Sequence, residues 1–322
     1  MMYVHTQACT ANQGCPHCIH RWQRLIREGA RARRVYGGYR RFLALNSPLR
    51  RKSFLWNGHA YFFKDVEKRN WPKSRTMSTF WECVQHTTKC KAFCGHKGLP
   101  FRWSWTGFDC QRSMCDMMHD LKCVCEMVLK GLVGYGKHGM YKSWKKDSRH
   151  REECIAFDMF PEVHDGDNPL PWRLTLEELK IINERVCKMW WPHYTHKLAK
   201  RGTSFFVKSC RCWKSRDKVE ILVVLLPTLL RDFVPAVHQA LLDIALALRT
   251  LEGQVVSAAE ARRLGIIPGS RVVEKRTIAD MHKILVRGLV LLEGSFPVSH
   301  LNPALHHLVH YAVQTASFGS LR

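Results

Sequence analysis

The stretch Asp116-Met117-Met118-His119-Asp120-Leu121-Lys122-Cys123-Val124-Cys125-Glu126-Met127-Val128-Leu129-Lys130-Gly131-Leu132 decides the fold of this chain. In it and just before it, Met114, Met117, Leu121, Val124, Val128 and Leu132 recur three and four residues apart, the period of one helix face. Ahead of it the sequence is irregular and rich in Trp, Arg, Cys and Gly. Behind it the helical period returns several times. The expected fold class is therefore mainly α, with a small α/β or irregular Cys-rich part at the N-terminus.

The later helices carry their own start signals. Thr175 and Glu178 form the three-residue spacing of a capping box, followed by a stripe of Leu179, Ile182, Val186 and Met189. Val219 to Leu226 reads as a helix interrupted at Pro227, which cannot donate a backbone hydrogen bond. Val237, Leu241, Ile244, Leu248 and Leu251 mark another amphipathic helix, with Pro235 in its first turn. Ile278, Met281, Leu285, Leu289 and Leu292 mark the next, and Asn302-Pro303 reads as the cap and first position of the last. Gly202 to Ser209 reads as a short strand, and the Gly-rich run from Gly134 to Gly139 as a helix stop.

Charge narrows the partners. The 322 residues carry a formal net charge of +24, with 46% hydrophobic residues, enough for a folded core rather than a disordered chain. The excess is concentrated early: the first hundred residues hold 19 Lys and Arg against 4 Asp and Glu. Such a surface attracts polyanions, DNA among them, and selects no narrower partner. Arg33, Arg34, Arg40, Arg41, Arg51 and Lys52 are the candidate contacts, a solvated basic face being the alternative reading. The longest apolar run, Ile221 to Leu230, is about half of what a bilayer span needs. No membrane partner is expected. With 14 cysteines and no recognisable signal peptide, the expectation is an intracellular, nuclear protein whose thiols stay reduced or bind metal.

Three groups of residues bear on chemistry. Cys15 and Cys18 have the C-x-x-C spacing that brings two thiolates to one structural zinc, with His20 as a third candidate ligand. Cys9, or Cys90, Cys94 and His96, would complete the set. Unliganded thiols are the competing reading. Asp116 and Asp120 fall on one helix face, where carboxylates share a divalent cation or merely face solvent beside Arg112. His306 and His310 have ligand spacing on the last helix, but with no third ligand apparent they read better as packing residues.

Taken in order, several segments resemble the transposases of CACTA-type (En/Spm-like) DNA transposons and the helical domain of unknown function that accompanies them. They are Cys15-Pro16-His17-Cys18, Tyr39-Arg40-Arg41-Phe42-Leu43, Asp116-Met117-Met118-His119, Lys214-Ser215-Arg216-Asp217 with Leu225-Leu226-Pro227, and Leu292-Glu293-Gly294-Ser295-Phe296-Pro297. The resemblance divides the chain into a partial transposase domain at 1–135, a connecting region at 136–213 and the helical domain at 214–322. It implies an RNase H-like remnant, a nuclear location, and a metal-dependent nuclease with Mg²⁺ or Mn²⁺ only where its acidic set is complete. Asp116 would be the last of three catalytic acids, and the other two would lie before Met1. Tyr39 stands where the family has a histidine, a candidate zinc ligand. The expectation is a truncated transposase that binds nucleic acid without cutting it. The alternative is a non-enzymatic, zinc-stabilised DNA- or RNA-binding or protein-interaction module, with self-association through the C-terminal helices.

Overall fold

The computed structural model describes residues 15, 17–18, 23–27, 30–35, 37–44, 46–51, 54–56, 59–61, 115–133, 174–189, 213–255, 257, 259, 262–263, 271–296 and 301–319. Among them the chain is mainly helical, and its strands form two-stranded antiparallel ladders. The strand expected at Gly202 to Ser209 lies outside the described residues. No helix among the described residues is long and apolar enough to cross a membrane.

The chain divides into two compact units that alternate along the sequence. The first comprises Met1–Cys115, Gly139–Gly166 and Pro297–His310; the second comprises Asp116–His138, Asp167–Phe296 and Tyr311–Arg322.

In the first unit, β1 (Gln23–Arg27) pairs with β2 (Ala30–Val35), with an irregularity between Leu25 and Arg27. A 3₁₀ turn follows at Tyr39–Phe42, entered through Gly38 at φ 82°, a left-handed conformation that favours glycine. Next come α1 (Pro48–Arg51) and the hairpin of β3 (Phe54–Trp56) with β4 (His59–Tyr61). The unit closes far along the chain with α8 (Pro303–His307) and a 3₁₀ turn at Leu308–His310. Asn302 caps α8, its side-chain oxygen accepting from the Leu305 amide at 2.9 Å, with Pro303 in the first turn.

The second unit is a helical assembly. Its elements are α2 (Met117–Val133), α3 (Leu176–Lys188), α4 (Ser215–Glu220), a π turn (Ile221–Leu225), α5 (Leu226–Leu229), α6 (Pro235–Leu251), β5 (Gln254–Val255), β6 (Arg271–Val272), α7 (Lys275–Ser295) and α9 (Tyr311–Phe318). The capping box at α3 forms in both directions, Thr175 Oγ1 with the Glu178 amide and Glu178 Oε2 with the Thr175 amide. Pro227 does not end its helix. The π turn sits immediately before it, where a wider turn accommodates a ladder that has lost one donor.

The core of this unit lies between α6 and α7. Val237, Leu241, Ile244, Leu248 and Leu251 are buried from one helix, and Ile278, Leu285, Leu289 and Leu292 from the other. Each such side chain contributes about 1.5–3 kcal/mol when removed from water. Gly288 is what lets the two backbones meet: a Cβ there would stand 2.9 Å from the Ala240 carbonyl oxygen. Beside that crossing, Arg287 grips buried Asp243 with two hydrogen bonds of 2.6 Å. Gln239 adds a third bond at 3.0 Å, so the carboxylate is not buried unpaired.

Candidate metal centre

The first unit brings Cys15, Cys18, His306 and His310 together. All four are buried, and their ligand atoms lie within 4.8 Å of one another. Cys15 Sγ is 3.2 Å from His310 Nε2, Cys18 Sγ is 3.3 Å from His306 Nε2, and the two Nε2 atoms are 3.2 Å apart. These are two sulfurs and two imidazole nitrogens converging on one point. Such a cluster could hold a metal ion.

Each partner is placed by local structure. The C-x-x-C spacing turns both thiols inward, and the His17 backbone amide donates to Cys15 Sγ at 3.4 Å. On the other side, the last turn of α8 and the 3₁₀ turn after it set His306 and His310 on one face, four residues apart. Tyr39 and Phe42 form an aromatic wall against His306, with ring centroids 6.4 and 5.8 Å away. Tyr39, standing where the resemblance would place a histidine, therefore packs on a candidate ligand.

The electrostatics favour a cation. Burial would raise the Cys15 thiol, but the hydrogen bond with Cys18 and the charges of His310 and His306 outweigh it and hold the pKa well below the ordinary thiol value. Burial lowers His306, despite the pull of Cys15. Burial also pushes His17 down to about 3, with the neighbouring imidazoles adding to the effect. The shifts thus bias Cys15 toward thiolate and His306 toward neutral imidazole, the forms in which these groups ligate metals.

The other candidates fall elsewhere. His20, Cys9, Cys90, Cys94, His96 and Lys52 lie outside the described residues. Asp116 is exposed just before α2, and its Oδ1 accepts from the His119 amide at 3.1 Å, a capping arrangement. Among the described residues, no metal-capable group of three or more side chains includes Asp116. Asp120 turns inward and accepts from the Tyr311 hydroxyl at 3.2 Å. Arg33 and Arg34 are on β2, opposite Leu25 and Arg24, and Arg51 ends α1. Arg41 is half-buried.

Arg40 needs correcting as a phosphate contact. It is fully buried within the first unit, so its guanidinium serves the interior rather than a surface that DNA could reach. The histidines need correcting in the opposite direction. His306 and His310 read as packing residues because no third ligand was in sight; their spacing was the signal, and the fold supplies the thiols.

No protein family, curated protein or solved structure matches this chain.

Proposed function

We propose that this chain is a transposase-derived nucleic-acid-binding protein of the CACTA type, stabilised by a structural zinc ion and unable to cut DNA by itself. The observation that carries the reading is the buried Cys15, Cys18, His306 and His310 cluster. Zinc–sulfur bonds of about 2.3 Å and zinc–nitrogen bonds of about 2.0–2.1 Å put tetrahedral S–N and N–N edges near 3.5 and 3.3 Å. The distances of 3.2–3.3 Å between these atoms are close to those edges. Cys₂His₂ with four buried ligands has no open position, which fits a structural ion and not a catalytic one.

The partner follows from charge. A chain of net charge +24 releases counterions when it neutralises phosphates, so binding to duplex DNA depends steeply on salt. Cutting is a different demand, since phosphodiester chemistry needs several carboxylates around paired cations. Asp116 caps a helix and has no carboxylate companions in a metal-capable group among the described residues. In this reading the RNase H-like core is present only as a remnant.

The test uses the purified full chain with duplex DNA in a fluorescence-anisotropy titration across salt concentrations, alongside a nicking assay in Mg²⁺ or Mn²⁺. Binding should weaken at least tenfold between about 50 and 200 mM salt, with the DNA left intact. Absence of binding at low salt, or metal-dependent nicking abolished by Asp116→Ala, would overturn the proposal.

A further inference from the structure

A thiol and an imidazole also meet in the second unit, on the single helix α2. His119 Nε2 and Cys123 Sγ are 3.5 Å apart. The two residues are four positions apart, so one face of the helix carries both. His119 is exposed and Cys123 half-buried, so water reaches the pair. The start of a helix, with its unbonded amides, disfavours a cation. Here the exposed Asp116 carboxylate, one turn earlier, accepts from the His119 amide and offsets that field.

We propose that His119 and Cys123 form a solvent-open, two-ligand site for a borderline-soft divalent cation, zinc being the most available. A thiolate and an imidazole are the donors such cations select. Zinc–sulfur bonds of about 2.3 Å and zinc–nitrogen bonds of about 2.0–2.1 Å give a tetrahedral S–N edge near 3.5 Å. That is the separation between these two atoms, so both donors can be seated without a large movement. One helix fixes their spacing, and little conformational freedom is lost on binding. Water completes the coordination, so the ion is held less tightly than by four protein ligands. A thiol–imidazole hydrogen bond alone would show the same distance, and metal content separates the two readings.

The inference concerns metal binding alone and holds whether or not the chain binds DNA or fills its Cys₂His₂ cluster. The experiment is equilibrium dialysis of the folded full chain against excess Zn²⁺, followed by a metal count. Cys123→Ser and His119→Gln should each bind one equivalent less than wild type. The double variant should lose that same single equivalent and no more. Dialysis against Co²⁺ reports the sulfur, and the thiolate-to-Co²⁺ absorption should weaken in Cys123→Ser. Cys15→Ser should lose a different equivalent, so Cys15→Ser with Cys123→Ser loses two. Far-UV circular dichroism identifies variants that remain folded, and His119→Gln, which leaves every thiol in place, serves if Cys123→Ser does not. Unchanged metal content in either folded variant overturns the inference, as does a double variant that loses two equivalents.

Discussion

Cys18 Sγ lies 3.3 Å from His306 Nε2, although 288 positions separate the two residues in the chain. A metal ion joining them closes a loop of nearly the whole sequence. In the chain-entropy picture a cross-link over that length restrains the unfolded state by on the order of 5 kcal/mol. Such a link would tie the N-terminal hairpins of the first unit to its closing segment at Pro297–His310, which come from opposite ends of the chain.

Removing the metal should therefore destabilise the first unit. A zinc chelator added to the folded chain, or the substitutions Cys18→Ser and His306→Ala, should lower the thermal midpoint. Each variant should behave like chelated wild type and gain nothing further from the chelator. The check is differential scanning calorimetry with metal analysis on the same samples. A midpoint indifferent to chelation would sink the idea.

Acid should destabilise the metal-free chain, and the sign follows from the histidines. His17 is held at about 3 when folded, against 6.5 when unfolded, and His306 is lowered in the same direction. Below pH 6.5 the unfolded chain binds protons that the folded chain refuses, so stability falls as pH falls from 6.5 toward 3. Each group contributes about 1.4 kcal/mol per pH unit within its window. Cys15, lowered in the fold, acts with the same sign, extending the rise toward its ordinary value of 9.0. Urea denaturation from pH 4 to 8 should show this slope. His17→Gln, which cannot take up a proton, should flatten its acid limb.

Gly131 is a contact point rather than a flexible joint. A Cβ built there would collide with the Phe296 ring, and Phe296 is itself buried. Gly131→Ala should thus cost about 1–3 kcal/mol through overpacking, despite alanine's better helix propensity. Phe296→Leu removes Cε1 and Cζ, two of the three ring atoms that the added Cβ meets. The double variant should be less destabilised than the sum of the two singles, and a double-mutant cycle in urea measures that coupling. Additivity would mean the two residues do not meet.

The helices were legible because their information is local. The stripes of α2, α3, α6 and α7 fall on the helix faces that the sequence spacing indicates, and the Thr175 and Asn302 caps form as read. A period of 3.6 residues states which side of a helix is apolar, whatever lies opposite. The sequence also displayed half of the candidate metal centre, since a C-x-x-C turn needs nothing beyond its own four residues to aim both thiols.

What lies opposite was decided in three dimensions. Nothing local to His306 and His310 indicates that Cys15 and Cys18 will stand 3.2–3.3 Å away, because the spacing of a helix says nothing about distant loops. The same holds for Arg40, whose charge reads as surface until the 3₁₀ turn at Tyr39–Phe42 carries it into the interior. Amino-acid order determined the helices, the caps and the basic charge. The chain's return at Pro297–His310 determined the ligand set, since four donor atoms become a site only when folding closes the long loop between them.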